Sequence, residues 1–280
     1  MSAGRGHGRE PAAQPEPLPA GAFDSHCHLD MIERPVEEIV AEAAAAGLSR
    51  VITVGCDLPS SRWAAGCAAS NAGVYAAVAI HPNETTAAAA EPGGSAAVLA
   101  EIAALAALPR VRAVGETGLD YYRDRSEPAA QREWFRAHIE IAKATGKALM
   151  IHDREAHEDV LRLLAADGAP ERVVFHCFSG DRAMARLCAD AGYVMSFAGN
   201  VTFSSAQQLR DAAEVAPAEL ILVETDAPFL TPVPHRGKPN TPAMVAHTVR
   251  RIAEVKRLEL DELCAAIAAT GERVFGPWQA

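Results

Sequence analysis

Short apolar runs of the length of a fully buried parallel strand recur eight times along this chain, each followed by a helical pattern or a turn-rich loop. They lie at residues 22–30, 50–56, 74–82, 111–120, 148–154, 172–180, 193–200 and 220–228. Strands that alternate with helices imply a parallel sheet, and eight such units suggest closure into a (β/α)8 TIM barrel. The segments VEEIVAEAAAAG, SAAVLAEIAALAAL, AAQREWFRAHIEIAKATG, HEDVLRLLAADG, DRAMARLCADAG and SAQQLRDAAEVA carry an apolar stripe against charge, and several stop at Gly. AMVAHTVRRIAEVKRL and LDELCAAIAATGERVF close the chain as helices. At 280 residues, 49% of them hydrophobic, the chain can bury one large core, and a barrel of this kind takes about 250 residues. The expected division is therefore a single domain over 23–280, preceded by a tail over 1–22. An open doubly wound sheet would show the same alternation, so the choice between the two falls to the polar residues.

The first 22 residues are rich in Gly, Pro and Ala and lack the apolar segment of a secretory signal; they read as a disordered tail. No uninterrupted apolar stretch of about 18 residues is present, so no membrane span is expected. Without an export signal the expected compartment is the cytoplasm. The six cysteines, none in a CxxC pair, read there as small reduced core residues. A net charge of −10 argues against coating a polyanion through bulk electrostatics. It leaves open phosphate chemistry in an acidic pocket, where divalent cations supply the positive charge.

In a barrel the active site lies where the strands end and the βα loops converge. His26 and His28 stand two apart at the end of the first run, and the strand period of two aims both at one point. Such a pair alone is weak. Glu116 follows VRAVG, His152 follows ALMI, His176 follows RVVF and Asp226 follows LILVET, so four more apolar strands end in a metal-ligand side chain. Taken singly, either later histidine reads as a core residue bonded to a backbone carbonyl, and either carboxylate as a partner of an arginine such as Arg154. Together they need a partner, because an unpaired charge at the end of an apolar strand is costly to bury, and a metal ion is such a partner. Imidazole and carboxylate donors suit Zn2+, Mn2+ or Mg2+.

Two histidines on strand 1, an acid on strand 4, histidines on 5 and 6 and an aspartate on 8 resemble the amidohydrolase-type barrels. Where many of those carry a bridging carboxylated lysine on strand 4, this chain has Glu116. The strings FDSHCHLD, AIHPNE, VGETGLDYY, IHDR, FHCFSG and VETDAPFLTPVPHRGKPN resemble, in order and spacing, the motifs of the TatD family of metal-dependent deoxyribonucleases, over residues 23 to about 276. The resemblance implies a cytoplasmic, divalent-metal-dependent deoxyribonuclease with DNA as its partner, in many members an exonuclease on single-stranded or damaged ends. No membrane association and no obligate protein partner are expected. By position, His26, His28 and Asp226 would hold one of two metal ions, His152 and His176 the other, and Glu116 would bridge them.

Asp226 is the expected general base, with Glu116 fixing the spacing of the metals. His81 and Arg154 match polar motif positions and are expected to meet substrate phosphate. Tyr121 or Tyr122 could stack on a base or simply pack in its loop. His235, Arg236 and Lys238, in the loop after Asp226, read either as an ordinary solvated turn or, with the resemblance, as substrate contacts. Ala79 and Asn83 stand where the family commonly has Gly and His, Thr241 where Glu is common, and Thr270 where Asn is frequent. The same ligands would serve a metal-dependent amidase, esterase or deacylase, which the fold does not separate from a nuclease. A noncatalytic nucleic-acid-binding barrel would lack ligands or carry a basic face, and this chain does neither.

Overall fold

A computed structural model of the protein describes residues 12–19, 21–123 and 125–278. All eight expected strands form: β1 (Asp24–Cys27), β2 (Val51–Val54), β3 (Val74–Val78), β4 (Val111–Asp120), β5 (Ala148–Arg154), β6 (Val173–Phe175), β7 (Val194–Phe197) and β8 (Ile221–Val223). They pair in parallel in the order β1 to β8. The first and last strands are drawn together at their ends by two backbone bonds. Asp226 N–H donates to His26 O at 2.9 Å, and His28 N–H donates to Ala227 O at 2.7 Å. The carboxylate of buried Asp24 adds to the seam by accepting from the Thr225 backbone N–H at 2.9 Å and from its hydroxyl. The result is a nearly closed barrel, as the strand pattern and strand-end polar residues together imply.

Strands packed on both faces cannot alternate polar and apolar residues, which is why β2, β3, β7 and β8 are buried along their whole length. Around them run α1 (Val36–Ala45), α2 (Leu58–Ser70), the short α3 (Thr85–Ala89), α4 (Gly94–Ala106), α5 (Pro128–Thr145), α6 (His157–Asp167), α7 (Arg182–Asp190), α8 (Gln207–Val215), α9 (Val245–Lys256) and α10 (Leu260–Phe275). In α5 the buried stripe Trp134, Phe135, His138, Ile139 and Ala142 follows the helical repeat, and Gly146, at φ 61°, ends the helix. Phe135 is fully buried, so Phe135→Ala would cost about 3–5 kcal/mol.

Helix α2 is not evident from periodicity, because LPSSRWAAGCAAS is a run of small residues with little contrast between its faces. Its start is fixed by chemistry instead. The Asp57 carboxylate accepts from Ser60 N–H at 2.8 Å, the Ser60 hydroxyl accepts from Asp57 N–H at 3.0 Å, and Pro59 sits in the first turn.

The expected disordered tail is corrected over 12–19. Pro15 and Leu18 are buried, and Leu18 N–H donates to Ala46 O at 2.9 Å. Arg250 Nη2 donates to Glu16 O at 2.8 Å. Gly47, at φ 87°, lets this segment approach, since a Cβ there would lie 2.4 Å from Leu18 O. A segment-average composition does not reveal one apolar anchor. Residues 1–11 lie outside the described residues. Among the described residues no helix is long and apolar enough to cross a membrane.

Candidate metal centre

Every predicted ligand lies in the C-terminal half of a strand or just beyond it. His26 is in β1 with His28 just beyond, Glu116 is in β4, His152 in β5, His176 directly after β6, and Asp226 shortly after β8. Local backbone irregularity aims Glu116. The β4–β5 register shifts between Val114 and Thr117, a bulge that re-orients the residues inside it. Beyond it, Gly118 lies so close to β5 that a Cβ would sit 2.0 Å from His152 O.

His26 Nε2 and His28 Nε2 are 3.3 Å apart. Asp226 Oδ1 lies 3.7 and 3.5 Å from them, and Glu116 Oε2 lies 3.5 and 3.8 Å from them. Donors about 2.1 Å from the centre of a tetrahedron stand about 3.4 Å from one another, so His26, His28 and Asp226 stand at the spacing of ligands to one divalent cation, and Glu116 Oε2 is as near to the two imidazoles. The other oxygen of Glu116 turns the opposite way. Its Oε1 lies 2.6 Å from His152 Nδ1 and 2.8 Å from His176 Nε2, and those two nitrogens are 3.4 Å apart. The structure thus brings all six predicted ligands into one cluster, with Glu116 between its halves.

The non-ligating nitrogen of each imidazole has an acceptor beyond it, which fixes the tautomer and turns a lone pair to the centre. His28 Nδ1 meets Val54 O at 3.0 Å, His176 Nδ1 meets Glu224 Oε1 at 3.1 Å, His152 Nε2 meets Asp120 Oδ2 at 3.3 Å, and His26 Nδ1 meets Met150 Sδ at 3.2 Å. Sequence reasoning does not single out Asp120 and Glu224. Their signal is present all the same: both are acidic residues at the end of an apolar strand, in GLD and VETD. Asn83 donates from Nδ2 to Asp120 Oδ2 at 2.9 Å, so the departure at that position steadies the acceptor of His152. Thr241 and Thr270 bond to Glu42 and to the Glu219 carbonyl.

Electrostatics suit cation binding. Burial pushes the His26 imidazole down, towards its neutral, ligating form. Burial alone would raise Glu116, but His176, His81 and His152 outweigh it and hold the carboxyl well below the usual carboxylate range. Burial also opposes ionisation of Asp226, and His28 and His26 overcome it. For His176 burial works against protonation, yet Glu116 and Glu224 raise it well above the usual imidazole range, so a proton competes with a cation for the same nitrogen.

The cluster floors a cavity of about 580 Å3 that also takes in His81 and Arg154. His81 Nδ1 accepts from Asn83 N–H at 3.0 Å, so its Nε2 carries the hydrogen, 3.5 Å from Glu116 Oε1. Tyr121 does not line this cavity. Its hydroxyl donates to Asp159 Oδ2 at 2.6 Å and accepts from Arg132 at 3.1 Å, which ties the ring to α5 and α6 and takes it away from a stacking role. Tyr122 is 64% exposed beneath the Arg154 guanidinium, which lies 3.9 Å from the ring centroid. His235, Arg236 and Lys238 are not brought to the cavity either. Their loop folds back: Arg236 stacks on Phe203 at 3.7 Å, His235 lies against His247, and the Lys238 carbonyl accepts from Thr231. Phe229 and Leu230, earlier in the same loop, do line it. So do Cys56 and Cys177, a departure from the expectation of core cysteines: each lies two residues past the C-terminal end of a strand, Cys56 after β2 and Cys177 after β6.

A parallel eight-stranded barrel whose strand ends converge four imidazoles and two carboxylates on such a centre is a metal-dependent hydrolase. The family model described as TatD related DNase matches residues 23–276. The chain belongs to that family. The uncharacterized metal-dependent hydrolase TatD of Mycobacterium tuberculosis (strain H37Rv) is 47% identical over 262 residues, covering 90% of this chain and 97% of the relative. The uncharacterized metal-dependent hydrolase YcfH of Escherichia coli K12 is 36% identical over 258 residues, covering 90% and 94%. Among solved structures, the TatD homologue YJJV of E. coli K12 superposes with a TM-score of 0.84 at 26% identity, covering 92% of this chain and 99% of that one.

Proposed function

We propose that the protein is a divalent-metal-dependent deoxyribonuclease that hydrolyses DNA phosphodiester bonds in the cytoplasm, as an exonuclease on single-stranded or damaged ends. The observation that carries this reading is the division of Glu116, with Oε2 towards His26 and His28 and Oε1 towards His152 and His176. Two adjacent half-sites sharing a carboxylate suit two cations: His26, His28, Asp226 and Glu116 would hold one, and His152, His176 and Glu116 would hold the other. Such cations, Mg2+, Mn2+ or Zn2+, supply Lewis acidity and positive charge to a phosphodiester and acidify water near neutral pH. Asp226, ionised and with its side chain 16% exposed, takes the proton of the attacking water. His81 donates from Nε2 to a nonbridging oxygen, and Arg154 neutralises the phosphate from the β5 side. The family description, TatD related DNase, favours phosphorus over a carbonyl carbon as the centre attacked.

The test is a nuclease assay of metal-reconstituted protein on 5′- and 3′-labelled single-stranded oligonucleotides, with Glu116→Ala and simple ester and amide substrates in parallel. Metal-dependent, end-directed digestion that Glu116→Ala loses is the expected result. Turnover of the ester or amide with none of DNA would overturn the reading in favour of an amidase, esterase or deacylase.

A further inference from the structure

We infer that the barrel mouth grips the end of a single strand from two opposite sides: Phe229 stacks on the terminal base, and Arg123, Arg125 and Arg154 hold the phosphates beyond it. The inference rests on the nuclease reading above. Phe229 lies in the loop that follows Asp226, is 51% exposed, lines the cavity, and has its ring centroid 6.2 Å from that of the ligand His28. The backbone that carries it is held in place. Its N–H donates to Asp226 O at 2.8 Å, its carbonyl accepts from Asn240 Nδ2, and Leu230 beside it is held at φ 54°, a left-handed conformation that a leucine seldom adopts. Met31, 43% exposed, widens this apolar flank from the loop after β1.

The opposite flank carries three arginines, set among Glu84, Asp120 and Asp153. Arg123 and Arg125 come from the loop after β4 and Arg154 from the end of β5, and all three line the cavity. In a barrel ordered β1 to β8, the β4–β5 edge lies half a circumference from the β8–β1 seam, with the ligand cluster between them. Among the described residues neither Arg123 nor Arg154 has an ion-pair partner, and Arg125 has only Glu84 at 4.0 Å. On a protein of net charge −10, three arginines around one opening are a local device. A flat apolar group over Phe229, an anion over the arginines and a scissile bond between them describe an unpaired nucleotide at a chain end. Stacking of this kind tolerates any base and suits a single strand.

The experiment compares two single-stranded oligonucleotides that are identical except that the end being digested carries a base in one and an abasic nucleotide in the other. Release of the first nucleotide by metal-loaded protein should favour the base-bearing end by roughly tenfold or more in kcat/KM. Phe229→Tyr should keep that preference, and Phe229→Ala should bring the ratio close to one. Arg123→Gln with Arg125→Gln should weaken binding of both oligonucleotides alike and flatten log K against log salt by roughly 0.7 for each phosphate that the variant no longer neutralises. Equal slowing of both substrates by Phe229→Ala, or a salt slope unchanged in the arginine variant, would overturn the proposal. If the wild type digests neither oligonucleotide, the nuclease reading itself falls; a wild type that digests both equally leaves that reading standing and removes the stacking role.

Discussion

The backbone N–H of Asp226 donates to the carbonyl oxygen of His26, so the bond that helps close the barrel also sets the spacing of two predicted metal ligands. Because the main chain makes that bond, the side chain of Asp226 is free to serve chemistry. Asp226→Asn should therefore keep the fold, with a melting temperature of the metal-free protein within a few degrees of wild type, and abolish nuclease activity. A loss of a hundredfold to ten-thousandfold is the size expected for a proton acceptor. Rates near wild type from this variant would remove Asp226 from the general-base role.

Glu224 does not line the site cavity and is completely buried, yet it accepts from the imidazole of His176 and from the N–H of Cys177 at 2.9 Å. Glu224→Gln keeps its volume and removes the charge that orients the ligand. Metal affinity, read by competition with a chromophoric chelator, should drop about 10- to 100-fold. Asp120→Asn should do the same through His152. An unchanged affinity in both variants would mean that the imidazoles are aligned by packing alone.

Cation binding should release protons. Burial works against protonation of His28 and His176, but Cys56 and Asp226 around the first, and Glu116 and Glu224 around the second, lift both well above the usual imidazole range. The metal-free site therefore holds protons that a cation must displace, and affinity falls as pH falls. Calorimetric titration with Mn2+ or Zn2+ in buffers of different ionisation enthalpy measures the number released. A binding enthalpy independent of the buffer would show that the imidazoles are already neutral.

The barrel is legible because parallel strands packed on both faces must be continuous apolar runs, and the six ligands because their polarity interrupts those runs at strand ends. What the sequence hides has definable physical causes. Helix α2 is specified by the Asp57–Ser60 cap rather than by a stripe. Tyr121 reads as available for stacking because its loop follows β4, but a phenol needs an acceptor and finds Asp159, 38 residues away in sequence. Arg236 is drawn to the face of Phe203 by a contact that no local pattern encodes. Conversely Leu18 reads as part of a Gly-, Pro- and Ala-rich tail, since the backbone it bonds to, at Ala46 just after α1, is distant in sequence and invisible from its neighbours.

His138 shows the same dependence on distant partners and yields a prediction about stability. Its Nδ1 lies 2.8 Å from Trp134 O and its Nε2 accepts from Ile80 N–H at 3.2 Å, so the buried ring is neutral, and a second ring proton would point at an N–H. Burial pushes its pKa down to about 4, from an ordinary value near 6.5. The folded-state value is the lower one, so the unfolded chain takes up the proton first as the solution is acidified. The contribution to stability is whole above about pH 6.5, declines between 6.5 and 4, and is gone below about 4, amounting to ~3 kcal/mol. Urea unfolding of chelator-treated protein at pH 7.5 and pH 4.5 should show this loss on top of that from the carboxylates. His138→Gln cannot take up the proton, so it should start less stable and lose less over the same interval. Equal losses in the two proteins would mean that the ring is protonated in place, with Ile80 N–H finding another acceptor.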